Sequence, residues 1–273
     1  MPQNPGAAFR ALHRPGDPFI LANAWDRGSA RMLEALGAQA IATSSAAHAF
    51  TMGRPDGGSL TRDEALAHAQ DLVSVVAVPV SGDFENGFGD DPETCAETVR
   101  LAAEAGLAGI SIEDTALPSQ SPYDAGLAAE RIRAAAAAAR ALPGDFVLCA
   151  RADGIMTGAY DEAEAIRRLK AFEAAGADCV YAPVPPDMDS LKRLCAATAL
   201  PFNALIAGDM TRQTRATLAA AGVARISLGS TLARATHRVI AEAARAMFDA
   251  GDFSPLARTA SGAEIDALLA RNG

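Results

Sequence analysis

Apolar residues recur along the chain in two alternating textures. Short, nearly continuous apolar runs, "FILANAW", "AIATSS", "VPVSGDF", "AGISIED", "FVLCARAD", "CVYAPV", "PFNALIA" and "RISLGS", predict strands buried on both faces. Each is followed by a stretch with helical spacing: "DRGSARMLEALG", 61–76, "DPETCAETVRLAAEAG", 125–142, 160–176, 187–198, 212–222 and 231–250. Several of these helices end alike, in "EALGAQA", "AEAGLAGI", "EAAGADCV" and "AAAGVARI". There a Gly supplies the left-handed cap and the next strand starts about two residues on.

Strands that alternate with helices in this way form a parallel sheet covered by helices. Eight such units predict an α/β fold closed into a (β/α)8 TIM-type barrel. An open doubly wound sheet would want a Gly-rich phosphate loop after its first strand, and "NAWDRGSA" is not one. No Pro-, Gly- or Ser-rich run reads as a linker, so residues 1–273 are expected to form a single barrel domain, with 231–273 as a C-terminal helical region.

Composition narrows the function. A chain of 273 residues, 50% of them apolar, can bury a large core, and a net charge of −9 argues against a nucleic-acid groove or an anionic membrane surface. A small anionic substrate would have to meet a local positive centre. Cys95, Cys149, Cys179 and Cys195 show no CxxC spacing, and no N-terminal segment has the order of a signal peptide. Both point to a reduced cytoplasm. No apolar run approaches the roughly 20 residues that span a bilayer.

Polar chemistry gathers where a barrel builds its site, at the C-terminal ends of the strands. Those ends read Trp25-Asp26, Ser44-Ser45, Asp83-Phe84-Glu85, Glu113-Asp114 and Arg151-Ala152-Asp153, with Asn203 inside the seventh strand. In "SGDFENGFGDDPE", Asp83 and Glu85 stand one residue apart behind an apolar run. Such like charges repel unless a cation, a proton or good solvation relieves them. Plainer readings exist: solvated loop acids for Asp83 and Glu85, a turn cap for Glu113-Asp114, and a structural ion pair for Arg151 with Asp153. Carboxylates from the third, fourth and fifth strands converging on one Arg favour a site instead.

Oxygen donors without a nearby His or Cys suit Mg²⁺ or Mn²⁺ rather than zinc. His68 and His237 fall within helices as packing or surface residues, and His13 lies near the N-terminus; His48 could face the cleft. Lys170 and Lys192, the only lysines, both lie in helices, which leaves no Schiff-base nucleophile at a strand end. Cys149 shares inward parity with Arg151 but sits deeper, as a core thiol.

At these segments the chain resembles the isocitrate lyase and phosphoenolpyruvate mutase superfamily, over residues 8–250. "WDRGSARMLEALGAQAIATSS" is similar to the family's first two strands, "GDFENGFGDDPE" to its metal-binding segment, and "GISIEDTALPSQ" to the strand and gating loop that follow. "CARADG" is similar to its Arg-containing strand and "RISLGSTLARATHRVI" to its last barrel unit. The resemblance implies Mg²⁺, or Mn²⁺, held mostly through water by Asp83, Glu85 and Glu113 and chelated by a 2-oxo carboxylate. It implies a carboxylate pocket at Ser44, Ser45 and Ala46, with Trp25 and Asn203 also touching substrate. Arg151 would bind a second anionic group, and Asp56, Asp153 and Tyr123 would be candidate bases. It further implies a homotetramer that exchanges a C-terminal helix between subunits.

The loop after the fourth strand departs from two branches of that family. Isocitrate and methylisocitrate lyases carry a catalytic Cys in a Lys-Lys-Cys-Gly-His loop, and phosphonate-forming mutases carry a loop Lys. Here residues 114–124 read "DTALPSQSPYD". The expected function is therefore a Mg²⁺-dependent carbon–carbon lyase acting on a small 2-oxo or 2-hydroxy dicarboxylate, oxaloacetate-like or a substituted malate, through a metal-stabilised enolate. The alternatives are a P–C bond enzyme of the phosphonopyruvate hydrolase or mutase type, and a catalytically silent metabolite-binding barrel. Residues 114–125, with Pro118, Pro122 and no apolar periodicity, are expected to gate the site.

Overall fold

The computed structural model describes residues 5–270. Eight parallel strands close into a barrel: β1 (Phe19–Asn23), β2 (Ala40–Ala42), β3 (Val80–Asp83), β4 (Gly109–Glu113), β5 (Val147–Arg151), β6 (Cys179–Tyr181), β7 (Phe202–Leu205) and β8 (Arg225–Ser227). Closure comes from β8, which pairs with β7 on one side and β1 on the other. The expected (β/α)8 barrel is the fold found.

Period-two alternation sorts the strand residues. Ile41, Ile110, Ile112, Leu148, Val180, Phe202 and Ile226 enter the apolar layer shared with the helices. Their neighbours Ser81, Ser111, Tyr181, Asn203, Arg225 and Ser227 line a cavity along the barrel axis. Barrel interiors are usually filled by branched aliphatic side chains. Small and polar residues here leave that space open.

Most helices are a few residues shorter than the pattern predicts, for instance Arg62–Val73, Glu162–Ala175 and Met188–Cys195, while Thr231–Ala250 coincides with its expected span. Caps explain the boundaries. Thr61 and Glu64 form a capping box, Asp161 accepts from the Glu164 N–H, and Gly176 ends its helix in the left-handed region at φ 97°.

Several elements were not legible as such. The second strand stops at Ala42, and Ser44 caps a helix at Ser45–Thr51 where "AIATSS" reads as strand to its end. The gate segment carries an antiparallel pair, Thr115–Ala116 with Ser121–Pro122, and its turn lies against Gly58. Helix Pro5–Leu12 closes the N-terminal mouth. Its Phe9 packs with Phe19, Leu21 and Val147, and Arg10 bonds Asp145 and Asp178, the residues that lead into β5 and β6. Gly6 is needed there, because a Cβ would fall 1.6 Å from the Asp145 carbonyl oxygen.

After the barrel, helix Thr231–Ala250 leaves Val239, Ile240 and Phe248 exposed, and helix Gly262–Ala270 lies against helix Arg27–Ala35. Among the described residues no helix is long and apolar enough to cross a membrane.

Candidate active site

Arg151 ends β5 with its side chain in the barrel mouth, and three acids close on it. Its Nη1 donates to Asp83 Oδ1 at 2.8 Å, Nε and Nη2 donate to the two Asp153 oxygens at 3.2 and 2.7 Å, and Nη2 lies 3.3 Å from Glu113 Oε2. The other Asp83 oxygen accepts from the Ser45 N–H at 3.0 Å and the Ser45 hydroxyl at 2.9 Å. Asp83 is thus fixed from both sides, by β5 and by the first residue of helix Ser45–Thr51. Its own N–H is held by Thr43 Oγ1 at 2.8 Å.

Glu85 is buried just beyond β3 in a left-handed conformation, φ 46°, and Oε1 accepts from the Gly58 N–H at 3.2 Å. Burial pushes its carboxyl up to about 7 against the pull of that N–H, with Asp83 and Asp56 adding to the rise. Burial likewise raises Glu113 well above the usual carboxylate range, although Arg151 opposes it. Asp56 reaches the same cavities from the loop before Gly57, its carboxyl raised by partial burial and by Asp83.

Two connected spaces meet at Ser45, Asp56, Arg151 and Met156. One, of about 140 Å³, runs down the axis past Ser44, Ser45, Ala46 and Asp83 to Asn203 and Arg225. The other, of about 350 Å³, lies under the gate, between Glu85, Glu113 and Asp153 and the loop residues Thr115, Leu117 and Gln120. A larger groove of about 850 Å³ lies elsewhere, between Thr61 and Glu97, and has none of the strand-end acids. It is too open and too poor in converging groups to be the reactive centre.

Of the residues expected from sequence, Ser44, Ser45, Ala46, Asp56, Asp83, Glu85, Glu113, Arg151, Asp153 and Asn203 are brought together on these two spaces. Two are not. Trp25 lies outside both linings, with its carbonyl 3.0 Å from His68 Nε2. Tyr123 is buried beneath the gate, where its hydroxyl donates to Asp90 at 2.5 Å and accepts from Asn86 at 2.9 Å, and Arg131 covers its ring. His48 stacks on His68 at 3.8 Å.

Sequence reasoning missed Asp114 as a positioning residue. It is buried, accepts from the Asp153 N–H at 2.8 Å and is held by Tyr160 and Arg168 at 2.6 and 3.0 Å. The second acid of "IED" was the available signal. Arg225, a charge at an inward position of "RIS", also lines the axial space.

These side chains offer hard oxygen donors to a divalent cation. Among the described residues no three His, Cys, Asp or Glu side chains are already gathered as a metal cage. Asp56, Asp83, Glu85, Glu113 and Asp153 nevertheless gather with the Arg151 guanidinium at the rim of these spaces. That excess of hard oxygen donors suits an ion such as Mg²⁺, which keeps most of its waters and needs only one or two carboxylates. The residues fit the ion through water rather than as a closed shell.

A parallel barrel with fixed carboxylates about one arginine at its C-terminal mouth defines an enzyme site of the lyase and mutase kind. The chain belongs to the phosphoenolpyruvate phosphomutase family, whose model matches residues 9–248. It is similar to an uncharacterized protein of Mycobacterium tuberculosis, 36% identical over 263 residues and 96% of each chain. Oxaloacetate decarboxylase of Chromohalobacter salexigens is 32% identical over 79% of this chain and 75% of its own. Among solved structures, one described as a lyase/mutase of Burkholderia cenocepacia superposes with a TM-score of 0.92 at 44% identity, covering 97% of this chain and 95% of its own.

Proposed function

We propose that the protein is a divalent-cation-dependent lyase that breaks a carbon–carbon bond in a small 2-oxo or 2-hydroxy dicarboxylate, oxaloacetate-like or a substituted malate. The observation that carries this reading is the acid cluster of Asp83, Glu85 and Glu113 about Arg151 beneath a gate without Cys or Lys. The similarity to oxaloacetate decarboxylase supports it.

Asp83, Glu85 and Glu113 would hold the ion, Mg²⁺ or Mn²⁺, mostly through water. Bound there, it would draw charge from the oxygen on the substrate's second carbon. Arg151 and Ser45 hold Asp83 in one orientation, so no reorganisation is needed when charge develops. Ser44, Ser45 and Ala46 form one wall for the substrate carboxylate. Asp56, the acid whose only hydrogen bond among the described residues comes from the adjacent Gly57 N–H, is placed to take a hydroxyl proton. Thr115, Leu117 and Gln120 close over the site and exclude bulk water. They offer no thiol or ammonium, so the proton that completes the product comes from water.

The exposed Val239, Ile240 and Phe248 support self-association through the C-terminal helices. The deciding experiment incubates the protein and Mg²⁺ with a panel of 2-oxo acids, 2-hydroxy acids and phosphonopyruvate, and measures pyruvate, CO₂ and phosphate. Pyruvate from a dicarboxylate is the expected result. Phosphate from phosphonopyruvate alone would assign P–C chemistry, and no product from any would leave a binding protein.

A further inference from the structure

We propose that Arg225 forms a buried anion subsite at the floor of the axial cavity, which takes the far carboxylate of the substrate and selects dicarboxylates over monocarboxylates. This rests on the lyase reading above and adds which end of the substrate points down the barrel.

Arg225 opens β8 and is only 3% exposed, yet it lines the cavity whose upper end holds Ser45, Asp83 and Arg151. Its Nε donates to Asn203 Oδ1 at 2.7 Å, its Nη2 to Cys149 Sγ at 2.9 Å, and its Nη1 lies 3.4 Å from His13 Nε2. Among the described residues no carboxylate pairs with it. His13 supplies no charge either, because burial and Arg225 itself keep the imidazole neutral, lowered to about 3.

Two other deeply buried arginines meet oxygen acceptors. Arg131 donates from its Nη atoms to the carbonyls of Asn86, Gly89 and Glu113, its Nε having no partner among the described residues, and Arg168 donates to the carboxylates of Asp114 and Glu164. Among the described residues Arg225 has no oxygen acceptor but the Asn203 amide, and its nearest counter-charge is the Cys149 thiol, which burial raises but the Cys179 hydrogen bond and Arg225 pull down to about 7. A buried guanidinium without a full partner is one that folding tolerates poorly. It has five N–H donors, and its three neighbours leave some of them free. Asn203 holds the Ser227 hydroxyl at 2.9 Å on the same wall, so a second polar group stands beside the guanidinium. Between floor and rim the wall carries the small inward residues Ala42, Ser81 and Ser111 beside the larger Tyr181 and Leu205, and the cavity of about 140 Å³ passes between them.

A carboxylate held on Arg225 is one the enzyme keeps, since losing it as CO₂ would strand the guanidinium again. The bond broken then joins the hydroxyl-bearing carbon at the rim to its neighbour below. The hydroxyl gives its proton to a base and becomes an oxo group. The electron pair of the broken bond passes to the carbon next to the held carboxylate, where Arg225 stabilises the charge, and that carbon takes a proton from water.

The test compares binding of succinate and butyrate, equal in length and differing by one carboxylate, to the full chain by calorimetry with Mg²⁺ present. Wild type should prefer succinate by about tenfold or more, the size of one well-placed ion pair. Arg225→Met should bring the ratio towards one. Asn203→Asp should do the same with little change of shape, by placing a carboxylate on Nε, and thermal melting of both variants confirms that they fold. A wild-type ratio near one, or a ratio unchanged in Asn203→Asp, overturns the proposal. So does a preference that emerges only in Cys149→Ser, which would make the Cys149 thiolate the counter-charge. Turnover of dicarboxylates without the binding preference removes the subsite and leaves the lyase reading, and the preference without turnover does the reverse.

Discussion

Arg151 and Arg225 stand inside the same barrel, on β5 and β8, and their surroundings are opposite. Arg151 is clasped by Asp83, Glu113 and Asp153, whereas Arg225 meets an amide, a thiol and an imidazole. In an acidic chain a lone arginine at a strand end reads as the anchor for an anionic substrate. The geometry spends much of that fork on ordering the acids, and leaves the deeper arginine without an acid. Position along the strand decides the difference, because the mouth is built from acids at and just beyond the strand ends and the floor from inward strand residues and the N-terminal segment.

The contrast breaks most severely at Asp83, which joins Arg151 to helix Ser45–Thr51. Asp83→Ala should cut turnover by about a thousandfold, as loss of a preorganised charge does, and weaken Mn²⁺ binding measured by electron paramagnetic resonance. Unchanged Mn²⁺ affinity would move the ion away from this end. Next in size, Arg151→Lys keeps the charge but cannot reach three acids at once, and should lower kcat/KM about a hundredfold with the fold retained. Wild-type kinetics there would make Arg151 a scaffold.

A smaller effect sharpens the difference between an open rim and a sealed floor. Oxalate with Mg²⁺ should slow proteolysis within residues 114–125 several-fold, since Thr115, Leu117 and Gln120 roof the site. Equal cleavage with and without ligand would count against gating. Smallest of all, Tyr123 belongs to neither end, its hydroxyl being spent on Asp90 and Asn86. Tyr123→Phe should change kcat/KM by no more than about twofold, and a loss beyond tenfold would return it to the chemistry.

Strand parity made the barrel and most of its mouth legible in the sequence. Continuous apolar runs ending in acids can be placed on one axis once the fold is closed, and that placed Asp83, Glu113, Arg151 and Asp153 together. What stayed hidden depended on contacts between segments distant in sequence. Ser44 could be read as strand or cap, and only the packing of helix Ser45–Thr51 against Asp83 decides it. Nothing near "RIS" says whether Arg225 finds an acid, because its neighbours come from β5, β7 and the N-terminal segment. Tyr123 lies in a loop, and its polarity said nothing of which way the ring would turn.

Helix Pro5–Leu12 gives the barrel a stopper, so that it has one doorway instead of two. A molecule lying along the axis, once split, leaves its lower fragment beneath its upper one, and the two can only depart in sequence. On the proposed reading the rim fragment would exit first, past Asp83 and Gln120. The fragment on Arg225 would leave last, and would therefore be the product that competes with fresh substrate for the empty enzyme.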